Sequence, residues 1–297
     1  MRPRARRSAV EALPRPAVVA HRGASSTAAE HTFGAYVAGI ESGAAGLECD
    51  VRLTRDGHLV CVHDRTVNRT SDGSGVVSDL DLPGLEALNF KSWRVDLPQS
   101  ADELVSESPY LAGVAPDLND DGRVLTLERL LSLVADASRP VKLLIETKHP
   151  TRYGGLVEKE LVDLLHRFGW AGRSGPPESM REPANMDSRV VVMSFAATAL
   201  RRIKVLAPEV PTVLLMEWRL PGMREGMLPS FVPIAGVALR LLRVDPEIVE
   251  RAHARGNRVF VFTVNEPADI DLVHGLGVDT IITDRPREVL AQLDATS

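Results

Sequence analysis

Cysteine is scarce in this chain: Cys49 and Cys61 are the two thiols among 297 residues, too few for a disulfide framework. Basic charge is not in excess either, since 35 Lys and Arg face 40 Asp and Glu, a formal net charge of -5. That balance argues against general nucleic-acid binding. No apolar run is long enough to span a bilayer, and the basic start at Arg2, Arg4, Arg6 and Arg7 lacks the apolar centre of a secretory signal. Residues 1–15 therefore read as a flexible basic tail. The protein is expected in the cytoplasm, without stable membrane insertion. No repeat or low-complexity tract stands out. What remains is an ordinary globular composition, 44% hydrophobic and 25% charged, in a chain long enough to bury a large core.

Short apolar runs recur at 17–20, 46–51, 59–62, 141–145, 190–193, 213–216, 236–239, 259–264 and 280–283. Helical patterns separate most of them. In the first, Phe33, Tyr36, Val37 and Ile40 recur at i, i+3, i+4 and i+7, with Thr32 placed to cap its start and Gly43 to end it. Others span 127–135, 156–168, 197–207, 246–255 and 266–275. Continuous apolar strands alternating with helices predict a parallel sheet covered on both faces. The number of units predicts closure into a (β/α)8 TIM barrel, whose usual length of about 250 residues fits a domain over 16–297. Nine runs are one too many for eight strands. Asp56-Gly57 is a hairpin signal, and parallel strands cannot be joined so briefly, so one strand of this pair is expected to run antiparallel at the barrel rim. Residues 64–123, turn-rich and charged, read as an inserted subdomain on the catalytic side, and 171–187 as a loop.

A two-residue turn at Asp56-Gly57 makes Arg55 face His58 and Asp50 face His63. Opposed residues share a face, and Glu48 joins them by the period of two. The same register sets Cys49 and Cys61 on opposite faces, a poor geometry for a bridge. Glu146 ends a later strand, and charged strand ends converge on one face of a barrel. Glu48, Asp50 and Glu146 thus form an oxygen-rich set for a hard divalent cation, Mg²⁺ or Ca²⁺, rather than for zinc. His21 and His63 flank the set and suit the acid and base of phosphodiester cleavage. Arg22 offers a fork for phosphate oxygens and Lys148 a second positive charge.

The chain resembles the glycerophosphodiester phosphodiesterases, a family of phospholipase-C-like TIM barrels. The resemblance rests on His-Arg-Gly-Ala-Ser at 21–25, Glu-Cys-Asp-Val-Arg-Leu-Thr-Arg-Asp-Gly at 48–57 and Val-His-Asp-Arg-Thr-Val-Asn-Arg-Thr at 62–70. It continues through Ile-Glu-Thr-Lys at 145–148, Ser-Phe at 194–195, Thr-Val-Asn at 263–265 and Ile-Thr-Asp-Arg-Pro at 282–286. It implies a barrel with a small insertion after the hairpin, a divalent cation on Glu48, Asp50 and Glu146, His21 and His63 as acid and base, and Arg22 with Lys148 on the phosphate. It also implies a small glycerophosphodiester as substrate. The neighbouring glycerol hydroxyl would attack phosphorus, and water would open the resulting cyclic phosphate to glycerol 3-phosphate. The lack of an obvious protein nucleophile agrees with that route.

Three departures from the family pattern bear on head-group choice. Ala29-Glu30-His31-Thr32 stands where Pro-Glu-Asn-Thr is usual, making His31 either a new polar contact or an ordinary helix start. Phe262 precedes Thr263 without the usual Trp, and the segment 124–128 lacks the usual Pro. A lipid substrate, as for a lysophospholipase D or sphingomyelinase D, is the alternative. It would need an apolar entrance, for which Met216, Trp218, Met223, Met227, Leu228 and Phe231 are the candidates. A catalytically silent phosphate-binding barrel would require erosion of the seven site positions, all of which are intact. Oligomeric state stays open.

Overall fold

The structure, a computed structural model, describes residues 13–91, 122–172, 184–218 and 227–296. Most of the basic tail, residues 92–121 of the expected insertion, most of the 171–187 loop and Met223 lie outside these. Nine strands are seen among the described residues: β1 (Ala17–His21), β2 (Gly46–Leu53), β3 (Leu59–Cys61), β4 (Lys142–Thr147), β5 (Val190–Ser194), β6 (Thr212–Met216), β7 (Ile234–Ala238), β8 (Arg258–Phe262) and β9 (Thr280–Thr283). Eight of them pair in parallel around a closed ring in the order β1-β9-β8-β7-β6-β5-β4-β2, with β2 returning to β1. The fold is thus a (β/α)8 TIM barrel, and β3 hangs antiparallel from β2 at its rim.

The ring closes because its strands are apolar on both sides. Val19, Leu144, Val191, Val213, Ile234, Phe260 and Ile282 fill the interior. Alternate residues, such as Leu47, Cys49, Leu143, Ile145 and Val192, pack outward against the helices. Those helices are α1 (Phe33–Glu41), α2 (Leu82–Glu86), α3 (Leu127–Ala135), α4 (Leu156–Arg167), α5 (Ala197–Leu206), α6 (Leu239–Val244), α7 (Ile248–His253), α8 (Pro267–Gly275) and α9 (Pro286–Thr296). Thr32 caps α1 as the sequence predicts, its Oγ1 accepting from Ala35 N at 3.2 Å. The expected helix over 246–255 shortens to α7, because β7 runs first into the separate short α6. After the hairpin, Val67, Val77, Leu85 and Phe90 bury a small core of their own against Val60, Val62 and Val124.

The hairpin register differs from expectation by one residue. Val51 faces Cys61 and Leu53 faces Leu59. The loop holds three residues, 55–57, rather than two. Thr54 N donates to His58 O at 2.9 Å, His58 N donates to Thr54 Oγ1 at 2.8 Å, and Gly57 takes the left-handed conformation at φ 90°. A turn followed by a left-handed glycine is the three-residue hairpin solution. The shift overturns two expectations. Asp50 pairs through its carbonyl with Val62 N, at 3.1 Å, not with His63. Cys49 and Cys61 lie on one face in the same core cluster, both buried and both free thiols. Burial, with Cys61 beside it, pushes the Cys49 thiol well above its ordinary range.

The loop after β1 lies directly on α1. Gly23 has φ +85°, and a Cβ there would come within 2.6 Å of the Ala35 backbone carbon. Gly23→Ala is therefore expected to lower stability by about 2–4 kcal/mol through strain and overpacking. Urea unfolding at neutral pH measures this directly.

Candidate active site

Barrel register brings the acids together. Asp50 on β2 stands beside Glu146 on β4, and His21 at the end of β1 stands beside Glu48. Glu48, Asp50 and Glu146 each offer a carboxylate oxygen within 4.8 Å of the others, and all three are buried. Such crowding is unfavourable without a positive charge between them. Burial, then the Asp50 charge, pushes Glu48 up to about 7. Burial pushes Glu146 up to about 7 as well, with Asp50 and Glu48 adding to the shift against the pull of Lys148. Asp50 goes the other way. Burial would raise it, but Lys148, His63, Arg22 and the hydrogen bond from His31 hold it well below the usual carboxylate range. Three all-oxygen donors on rigid strands, two of them reluctant to ionise together, fit a hard divalent cation.

Both basic residues expected at the phosphate reach these acids. Lys148 Nζ lies 3.1 Å from Asp50 Oδ1 and 3.0 Å from Glu146 Oε1. Arg22 Nε lies 3.1 Å from Asp50 Oδ2, and Arg22 Nη1 3.4 Å from Glu30 Oε2. Arg22 takes φ 56° and His31 φ 60°, left-handed conformations that a side chain tolerates at some cost. They are tied together: His31 N donates to Arg22 O at 3.1 Å, and Arg22 N lies 3.1 Å from Glu48 Oε2. His31 is a polar contact, not merely a helix start. Its Nε2 meets Asp50 Oδ2 at 2.9 Å and its Nδ1 meets the Tyr36 hydroxyl at 2.8 Å. Burial keeps this imidazole below its ordinary value and so neutral, with Nε2–H donating to the ionised Asp50.

Each of the two expected acid–base histidines carries a carboxylate on Nδ1. For His21 it is Asp284, at 2.7 Å, from the turn after β9. Asp284 is held in turn by Asn265 Nδ2 at 2.6 Å and by Ser25 Oγ at 2.9 Å. Burial and the Arg22 charge would lower His21, but Asp284, with Glu48 behind it, leaves it above its ordinary value. His21 Nε2 is 4.0 Å from Glu48 Oε2. For His63 the carboxylate is Asp64, at 2.7 Å. The His63 side chain is almost fully buried.

Sequence reasoning missed the residues behind this layer. Arg69 donates to Asp64 through Nε at 2.8 Å and to Glu30 through Nη2 at 2.7 Å. Alternating charges therefore run from Asp50 through Arg22, Glu30, Arg69 and Asp64 to His63. Asp284, Asn265, Asp64 and Arg69 all stand inside the motifs quoted above, but nothing local indicates which group each would meet. Of the apolar entrance candidates, Met216 is buried, and Leu228 and Phe231 pack on the core. Trp218 and Met227 are exposed, with the Arg240 guanidinium 4.4 Å over the Trp218 ring. Of the five described candidates, three thus belong to the core and two are exposed.

Residues 21–288 match the model of the glycerophosphoryl diester phosphodiesterase family. The chain is 44% identical over 286 residues to a Mycobacterium tuberculosis protein named probable glycerophosphodiester phosphodiesterase 1, covering 94% of this chain and 93% of that one. It is 30% identical over 277 residues to the glycerophosphodiester phosphodiesterase of Caldanaerobacter subterraneus, covering 92% and 96%. Its fold matches a phosphodiesterase of Oleispira antarctica solved in complex with the product sn-glycerol-3-phosphate, with a TM-score of 0.72, 21% identity and coverage of 95% and 97%.

The Glu30–Arg69–Asp64 network makes a stability prediction. Against the opposing effect of burial, Arg69 with Arg22 holds Glu30 far below the usual range, and the His63 hydrogen bond with Arg69 does the same for Asp64. A lowered folded pKa contributes stability above the unfolded value of about 4, and that contribution is lost as pH falls through the lower folded value. Arg69→Met, which takes from two buried acids the cation they share, is expected to cost about 3–5 kcal/mol at pH 7. The gap from the parent should narrow on acidification below about pH 4, where the unfolded carboxylates protonate. Urea titrations at pH 7 and pH 3 test this, and a constant gap would exclude the charge interaction as its source.

Proposed function

The chain belongs to the glycerophosphoryl diester phosphodiesterase family, and we propose that it is a metal-dependent enzyme hydrolysing glycerophosphodiesters to glycerol 3-phosphate and an alcohol. The observation that carries this reading is the buried triad of Glu48, Asp50 and Glu146 with a carboxylate-anchored histidine on either flank. The three acids would hold one divalent cation, Mg²⁺ or Ca²⁺. When bound, it supplies Lewis-acid polarisation of a phosphoryl oxygen.

The protein's own residues do the rest. With Nδ1 of His21 and of His63 committed to Asp284 and Asp64, the chemistry falls to Nε2 of each ring. One imidazole takes the proton from the substrate's adjacent glycerol hydroxyl as that oxygen attacks phosphorus. The other gives a proton to the departing alkoxide. Water then opens the cyclic phosphate with the two roles reversed. The attacking hydroxyl is already part of the substrate, so proximity replaces a protein nucleophile. Arg22 and Lys148, both beside Asp50, would bring positive charge to the phosphate oxygens. The product bound in the Oleispira antarctica relative agrees with this outcome. We assign residues 16–297 to one catalytic domain, with 64–123 as its insertion.

A small substrate is favoured over a lipid, because among the described entrance candidates Met216 is buried and Leu228 and Phe231 are taken up in core packing. In addition, no helix among the described residues is long and apolar enough to cross a membrane. Phosphorus NMR of sn-glycero-3-phosphocholine incubated with the protein and Mg²⁺ or Ca²⁺ should show glycerol 3-phosphate, and chelation should stop its appearance. His21→Ala and His63→Ala, folded by circular dichroism, should each lower kcat about 10²–10⁴-fold. Undiminished turnover in chelator, undiminished turnover in both variants, or clear preference for lysophosphatidylcholine would overturn the reading.

A further inference from the structure

Beside the triad lies a cleft of about 670 Å³, the size of a small-molecule subsite. Its walls are the rim hairpin at Arg52 and Leu53, Arg65 with residues 76–79, and Lys148 with residues 150–153 and Val157. Lys148 belongs to both places: its Nζ touches Asp50 and Glu146, and the residue lines the cleft. A diester whose phosphate sits at the triad can therefore reach the cleft by projecting past Lys148.

The lining is cationic. Arg52, Arg65, Lys148 and Arg152 face a single acid, Asp79. Three of the four are engaged. Arg52 donates to His63 O through Nε at 3.0 Å and Nη2 at 2.7 Å, Lys148 lies on the triad, and Arg152 pairs with Asp79. Arg65 is different. Its carbonyl accepts from Val77 N at 3.0 Å, which fixes its backbone, while its exposed guanidinium has no hydrogen-bond or ion-pair partner among the described residues. A preformed pocket with one uncommitted guanidinium favours an anion. It offers little to a quaternary ammonium, which wants open aromatic faces or free carboxylates. Tyr153 is the aromatic residue in the lining. Its hydroxyl donates to Ser78 O at 2.9 Å, and the Arg152 guanidinium sits 5.8 Å from its ring.

We propose that this cleft is the leaving-group subsite and that Arg65 selects alcohols bearing their own anionic group, above all a phosphomonoester. The assignment rests on the phosphodiesterase reading above. It makes the favoured substrates glycerophosphodiesters of a phosphorylated polyol rather than of choline.

The test is a matched panel with the metal-loaded full chain: sn-glycero-3-phosphocholine, sn-glycero-3-phosphoglycerol and sn-glycero-3-phosphoinositol 4-phosphate. At low ionic strength kcat/KM for the phosphorylated substrate should exceed that for the choline substrate by about tenfold or more, chiefly through KM, and salt should erode the difference. Arg65→Glu should cut that ratio at least about tenfold and Arg65→Gln by less, since charge reversal adds repulsion to the lost attraction. Arg65 is exposed, so both variants are expected to fold. Turnover of all three substrates at similar kcat/KM, or a ratio unmoved in Arg65→Glu, would overturn the cleft assignment and leave the phosphodiesterase reading standing. No turnover of any of the three would overturn both.

Discussion

Three carboxylates buried within reach of one another are the constraint around which the upper face of this barrel is organised. Water cannot screen them, so each must be offset by a positive charge held at close range. The nearest offsets are Lys148 and Arg22, and these in turn are buried cations that require acids. Glu30 meets Arg22, Arg69 meets Glu30, and Asp64 meets Arg69 before closing on His63. The compensation thus spreads outward from the triad and returns toward it at His63. Within such a network no member is independent, and the orientation of His63 depends on the charge state of groups several contacts away.

The two imidazoles reach similar arrangements by unlike routes. His63 finds its carboxylate in the next residue, so its pairing is built into the local chain. His21 finds its carboxylate across the closure of the ring, where β1 pairs with β9. Left-handed backbone at Arg22 and His31 bends the intervening loop back so that Arg22 and His31 both reach Asp50. The arrangement is local on one side and topological on the other.

That difference also explains what could be read from sequence. Strands of a parallel barrel are apolar on both faces, so all nine stood out as short runs such as Val190–Ser194. The six-residue α6 is too short to establish a period, and it merged into the end of the run before it. Glu48, Asp50 and Glu146 were visible because a period of two and a strand end are local signals. Asp284 and Asn265 were not, since no pattern states which strand closes the ring. The hairpin failed for a different reason. Whether Asp56-Gly57 makes a loop of two residues or three depends on where the left-handed glycine falls, and one residue of slip carried Cys61 to the face of Cys49.

The pairing of β1 with β9 has a temporal meaning as well. His21 is made 263 residues before the aspartate that meets its Nδ1. In a nascent chain its first imidazole waits without that carboxylate until residue 284 has cleared the exit tunnel. The pair of anchored rings is thus complete only in a chain synthesised past residue 284, and one released before that point would carry His21 without its carboxylate.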